Sequence, residues 1–210
     1  MSIYKRITID KTTTALIWKI EESLEFLEKG IKLTDYCQDR YDSMKSEIHR
    51  KGFISIRHLL KKFGYSDFDL SYDENGKPHL NDGKHISITH SFEFTGVIVS
   101  DKKVGIDIEK QREKIKLIAP KFTPVKEYEA LGDGEDLIRK LTIVWGAKES
   151  LYKLYGKKGL LFLHDIFVED FDISAHQTTA RVTHDQKITF YTLNFQEFEN
   201  FTCVYALAHD

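Results

Sequence analysis

Val97-Ile98-Val99-Ser100-Asp101-Lys102-Lys103-Val104-Gly105-Ile106-Asp107-Ile108-Glu109 is the stretch on which the reading of the fold turns. Apolar, mostly β-branched residues flank a polar break at Asp101-Lys102-Lys103, so the stretch reads as an antiparallel hairpin. Just upstream, from His85, the chain alternates with period two: Ile86 and Ile88 face one way, Ser87 and Thr89 the other. Further upstream the period is helical. Residues 14–29 place Leu16, Ile17, Ile20, Leu24 and Leu27 at helical spacing and stop at Gly30. Residues 46–63 predict a second helix, with Phe53, Ile56, Leu59 and Leu60 inward and Gly64 at its end. Downstream, Gly132-Asp133-Gly134 introduces a long helix over 135–155, closed by Gly156. Short alternating segments follow at 162–168, 179–183, 188–195 and 201–207. Helices and antiparallel strands mix without a regular β-α-β alternation, which is the α+β pattern.

A chain of 210 residues can bury a substantial core. Its net charge of -2 argues against a general nucleic-acid binder. No run approaches the roughly 20 apolar residues that cross a bilayer, and the opening residues 1–7 lack the apolar stretch of a secretory signal. Cytoplasmic residence, away from membranes, is the expectation. Cys37 and Cys203 form no ligand motif and read as two reduced packing thiols.

The chemistry begins on one strand. In residues 104–109, Gly105, Asp107 and Glu109 share one parity, opposite the three aliphatic residues. Carboxylates two residues apart project from one face, about 7 Å apart at the backbone. At that distance they repel by roughly 2 kcal/mol at an effective dielectric of 20. A hard divalent cation turns that repulsion into attraction, and magnesium prefers oxygen ligands. Gly105, lacking a side chain, reads as room for a bulky ligand. Taken alone, the pair also fits a solvated strand face. On the long helix, Trp145-Gly146-Ala147-Lys148-Glu149-Ser150-Leu151-Tyr152-Lys153 sets Glu149 and Lys153 four residues apart on one face. Leu141, Val144, Trp145 and Leu151 hold that helix against a core, so a carboxylate and two ammonium groups stand near buried structure. His90, flanked by Thr89 and Ser91 at a strand's end, suits phosphate oxygens. Asn75-Gly76-Lys77-Pro78 reads as a turn carrying a cation.

In this order, Gly76-Lys77-Pro78, Thr89-His90-Ser91, the strand 104–109 and the helix motif 145–153 resemble the 4'-phosphopantetheinyl transferases. The length is similar to that of their long, surfactin-synthetase-activating type. Gly156-Lys157-Lys158-Gly159-Leu160 also resembles the Gly-Lys-Gly-Leu run that follows the helix in that family. The resemblance is clear over residues 50–160. It implies two pseudo-symmetric α+β halves, 1–100 and 101–210, each an antiparallel sheet packed with helices, with the active site between them. It implies Mg2+, with Mn2+ as the alternative ion, on Asp107, Glu109 and Glu149, and coenzyme A as co-substrate. Lys148 and Lys153 would contact its phosphates, Thr89 and His90 the diphosphate or the 3'-phosphate end, and Lys77 would sit near the 3'-phosphoadenosine. Glu149, Lys153 and Asp107 would be the catalytic residues, with Glu149 as the base for the attacking serine.

The implied partner is an apo acyl or peptidyl carrier protein, served by a monomer. Carrier proteins of this kind present an acidic helix, and eight basic residues lie between positions 102 and 126 here. Two glycines depart from the family pattern: Gly146 stands where Ser, Thr or Cys is usual, and Gly52 where an acidic residue usually precedes the early helix's aromatic. The alternative is a catalytically inert homologue that binds coenzyme A or a carrier protein in a regulatory role. A hydrolase built on Thr89-His90-Ser91 lacks any Gly-x-Ser-x-Gly elbow.

Overall fold

In the computed structural model, which describes residues 3–156 and 158–208, the chain divides into two compact units, Met1–Lys102 and Lys103–Asp210. Met1 and Ser2 of the opening stretch and Lys157 of the Gly-Lys-Lys-Gly-Leu run lie outside the described residues. The architecture is α+β, with antiparallel sheets covered by helices.

The first unit runs β1 (Lys5–Thr8), β2 (Thr14–Lys19), α1 (Leu24–Glu28), α2 (Asp35–Ser43), α3 (Glu47–Lys62), β3 (Leu70–Tyr72), β4 (Pro78–Leu80), β5 (His85–Ser91) and β6 (Phe94–Ser100). Residues 14–19 form a strand, which corrects the helix expected over 14–29. Ala15, Leu16, Ile17 and Trp18 are each at most 1% exposed, so this run has no polar side to turn toward water. A continuous apolar run of that kind suits a strand with neighbours on both edges. Accordingly β2 lies between β1 and β6 in a sheet of order β1-β2-β6-β5. Helix begins only at α1, where the Ser23 hydroxyl accepts from the Phe26 N–H. The helix expected over 46–63 is α3, and Phe53, Ile56, Leu59 and Leu60 are buried as predicted. They share a core with Leu16, Trp18 and Val97. Each fully buried side chain of this size contributes about 1.5–3 kcal/mol.

The hairpin expected across Asp101-Lys102-Lys103 does not form. β6 pairs with β2 and β5, whereas β7 (Val104–Lys110) pairs with β11 of the second unit's sheet, given below. The break at 101–103 is where the chain leaves one unit for the other. The hairpin is instead β5–β6, closed by the two-residue loop Phe92-Glu93 with Phe92 at φ +50°.

The second unit continues from β7 with α4 (Lys114–Ile118), α5 (Val125–Ala130), α6 (Leu137–Tyr155), α7 (Phe162–Asp165), β8 (Ile166–Val168), β9 (Gln177–His184), β10 (Lys187–Phe198) and β11 (Phe201–Leu207). The strand expected from 162 starts with the short helix α7, because the Asp165 carboxylate reaches back to accept from the Leu161 N–H and closes a turn. The sheet order is β7-β11-β10-β9-β8, antiparallel throughout. α6 ends at Gly156, whose φ of +66° is open to glycine. Leu141, Val144, Ala147 and Leu151 on α6 are buried in one cluster with Leu193, Phe195, Val204 and Ala206 of the sheet. Cys37 and Cys203 are both free and buried. Among the described residues, no helix is long and apolar enough to cross a membrane.

Candidate active site

Two glycines and a serine decide where α6 sits on its sheet. A Cβ on Gly105 of β7 would overlap the Ser150 carbonyl oxygen, so the space read as room for a ligand is filled by helix backbone. This corrects the sequence reading: Gly105 admits α6, not a substrate. A Cβ on Gly146 would come within 2.7 Å of Val204 Cγ2 and 3.8 Å of Asp107 Oδ2. The Ser150 hydroxyl donates to the Val204 carbonyl at 2.9 Å, and Val204 is the β11 residue opposite Asp107. The helix is thus seated on the sheet at the rung that carries Asp107.

That seating brings charged groups together. Lys153 Nζ donates to Asp107 Oδ1 at 2.7 Å and to the Ile106 carbonyl at 2.9 Å. Asp107 is 5% exposed. Glu149, one helical turn before Lys153, is half-buried, and its carboxyl is pushed up to about 7. Burial is the larger cause, then the Asp107 charge, with Glu109 adding to it and Lys153 opposing. Three carboxylates and one ammonium therefore share one electrostatic neighbourhood with an excess of negative charge. A carboxyl near 7 is poised both to accept a proton and to be ionised by an arriving cation.

Lys148 departs from expectation. Its side chain is fully enclosed, and Nζ lies 2.6 Å from the Phe122 carbonyl, 2.8 Å from Ile166 O and 3.1 Å from Phe162 O. Its counterion is Glu127 of α5, itself 1% exposed, at 2.9 Å. Burial pushes the ammonium down and the carboxyl up. Even so, four acceptors around one nitrogen need the three N–H donors that only the charged form supplies, so the pair is ionised. An ammonium so committed has no N–H left for phosphate. The expected phosphate contact is corrected to a structural tie from α6 to the neighbouring helices and loops.

The other predicted residues belong to the first unit. Lys77 stands in the turn between β3 and β4, where the Asp73 carboxylate accepts from the N–H groups of Asn75 and Lys77, each at 2.9 Å. Gly76 takes the positive φ that the turn requires, +78°. Thr89 is buried on β5, and the adjacent His90 is half-buried. As neighbours on a strand they project from opposite faces, so their side chains do not form one surface. His90 lies against α3, where a Cβ on Gly52 would overlap its ring. Burial pushes the imidazole down from its ordinary value, opposed by its hydrogen bond to the Phe92 carbonyl.

A model of the 4'-phosphopantetheinyl transferase superfamily matches residues 103–206, which is nearly all of the second unit. The chain belongs to that superfamily. It is similar to 4'-phosphopantetheinyl transferase Sfp of Bacillus subtilis (strain 168), 29% identical over 144 residues. That match covers 67% of this chain and 61% of the Bacillus protein. It is similar also to 4'-phosphopantetheinyl transferase gsp of Aneurinibacillus migulanus, 28% identical over 171 residues, covering 79% of this chain and 68% of that protein.

For a member of this superfamily, the donor set on β7 and α6 fits a hard divalent cation. Asp107, Glu109 and Glu149 offer only oxygen ligands, and the charge surplus is what a cation neutralises. No three His, Cys, Asp or Glu side chains among the described residues form a ready-made cage, and Lys153 holds Asp107. Reading the sequence missed Glu127, which carries no local signal because its partner is 21 positions away. It also missed the tasks of Gly52 and Ser150. A glycine inside a helix, costing about 1 kcal/mol against alanine, was the one available hint for Gly52.

Proposed function

We propose that the chain is a Mg2+-dependent 4'-phosphopantetheinyl transferase, moving the phosphopantetheine arm of coenzyme A onto a serine of an apo acyl or peptidyl carrier protein. The observation that carries this reading is Glu149, half-buried on α6 with its carboxyl near 7, beside Asp107 and Lys153. The serine oxygen bonds to the β-phosphorus, the bond from that phosphorus to the bridging oxygen breaks, and 3',5'-ADP departs. The serine proton passes to the Glu149 carboxylate. Lys153 stabilises the charge on the departing phosphate. Asp107, Glu109 and Glu149 would hold the divalent cation, which, when bound, neutralises diphosphate charge. In this reading Lys77 and His90 serve the phosphate-rich end of coenzyme A, while Thr89, buried on the opposite face of β5, does not share that surface. Phosphoryl transfer asks mainly for positioning and neutralisation, which these groups supply without a covalent nucleophile.

The partner reading is supported by the basic stretch. On and beside α4 and α5, Leu117 is 79% exposed and Val125 73% exposed, among Lys114, Lys116, Lys121 and Lys126. Apolar residues ringed by cations suit an acidic amphipathic helix. In this reading the protein works as a cytoplasmic monomer. The test is incubation with coenzyme A, Mg2+ and a panel of apo carrier proteins, read by carrier mass shift and 3',5'-ADP release. E149Q is expected to abolish transfer while keeping its fold. Coenzyme A binding without turnover on every carrier would instead identify an inert homologue, and full activity in E149Q would remove Glu149 from the role of base.

A further inference from the structure

Gly52 sits inside α3, buried, where alanine would favour the helix by about 1 kcal/mol. Something at this position therefore excludes a side chain. It is the imidazole of His90: a Cβ on Gly52 would overlap ring atoms Nε2, Cδ2 and Cε1 together. The ring thus lies flat over the helix backbone, in a slot that exists because position 52 has no Cβ.

Three further contacts define the slot. The Ser55 hydroxyl donates to the Gly52 carbonyl at 2.9 Å and lies 3.1 Å from the Thr95 hydroxyl. Thr95 is the β6 residue directly opposite His90, so α3 is pinned to the sheet at the rung that carries the histidine. Nε2 lies 2.9 Å from the Phe92 carbonyl in the β5–β6 loop, at a residue with positive φ. A carbonyl only accepts, so Nε2 carries the proton and Nδ1 is the nitrogen left to bind a further group. His49, three residues before Gly52 on the same helix, meets the His90 ring edge-on at 6.3 Å. It is the titratable neighbour whose charge acts on His90.

We propose that Gly52 is a positioning residue for His90: the slot over its Cα, with the Phe92 carbonyl, holds the proton on Nε2 and leaves Nδ1 as the nitrogen that, once the ring takes a second proton, donates to a phosphate oxygen of coenzyme A. The phosphate part rests on the transferase reading; the positioning part does not. Gly52 acts through His90 and touches no substrate itself. A residue with a side chain at position 52 displaces the ring, frees Nε2 from Phe92 and mixes the tautomers.

The test compares wild type, G52A, H90A and G52A/H90A as full-length proteins. Ring nitrogen and carbon NMR of His90 reports the tautomer and the titration midpoint. In G52A the Nε2–H signature is expected to give way to a mixture, with the midpoint moving up toward that of an exposed histidine. The coenzyme A KM is expected to rise about tenfold with kcat within about threefold, and the double variant to be no worse than H90A. Unchanged His90 tautomer and midpoint in a folded G52A would overturn the proposal. If G52A does not fold, the double variant decides: with the ring gone, alanine at 52 should raise the melting temperature above that of H90A. A double variant as unstable as G52A would show that position 52 needs glycine for its backbone, which also overturns the proposal. Changed NMR signals without any coenzyme A binding by wild type would leave the slot standing and sink the transferase reading instead.

Discussion

At Glu149, burial and two neighbouring carboxylates oppose ionisation, and Lys153 alone favours it. The folded carboxyl titrates near 7 against an ordinary 4.5, so between those values the folded state keeps a proton that the unfolded chain has lost. Stability from this group is therefore full below about pH 4.5 and declines as pH rises through 7. Screening at a half-buried site leaves on the order of 2 kcal/mol of the effect. In metal-free protein, urea titrations at pH 5 and pH 8 should show wild type losing about that much relative to E149Q; parallel behaviour would count against the charge cluster. Mg2+ should restore wild-type stability at pH 8 and have little effect on E149Q. The neighbouring residue makes the opposite case. K148M strands Glu127 and three carbonyls in the interior, a loss of about 3–5 kcal/mol. If Lys148 is structural, the coenzyme A KM of the folded fraction stays within about twofold of wild type, whereas a phosphate contact would raise it tenfold or more.

Two elements, β7 and α6, meet so closely that backbone touches backbone, and the contact at Gly105 is less forgiving than that at Gly146. Against Gly146 stands the end of a valine side chain, which can turn; against Gly105 stands the Ser150 carbonyl of a packed helix, which cannot. G105A is expected to cost about 3 kcal/mol or more, because α6 must move off β7 as a body. Activity should fall with it, since the shift separates Lys153 from Asp107. A G105A protein with unaltered denaturation midpoint and full activity would refute that packing. Elements also show which sequence signals were legible. α3 and α6 were readable to within two residues because each has a polar face, and Gly64 and Gly156 mark their ends. β2 was misread because Ala15-Leu16-Ile17-Trp18 has no polar face, and a run buried on all sides carries no period. The hairpin at 101–103 was misread because strand pairing is decided by partners elsewhere in the chain: Val99 pairs with Thr14 and Val104 with Leu207.

For the whole molecule, a net charge of -2 conceals the basic stretch that ends at Lys126. If that stretch steers an acidic carrier protein, kcat/KM for the carrier should fall about tenfold or more between 50 and 500 mM salt, as charge screening shortens. The coenzyme A KM should change less, and a flat response for the carrier would exclude steering. The order of motifs along the chain was enough to point to the superfamily and to nominate Asp107, Glu109 and Glu149 as candidates, because residue types two and four apart on a strand or helix share a face whatever surrounds them. Which lysine is available to a substrate was decided only in three dimensions. Lys148 and Lys153 sit in one motif five positions apart, yet Lys148 is sealed among carbonyls while Lys153 reaches Asp107. Desolvation separates them, and desolvation is set by Phe122, Glu127, Phe162 and Ile166, residues whose approach no local spacing encodes.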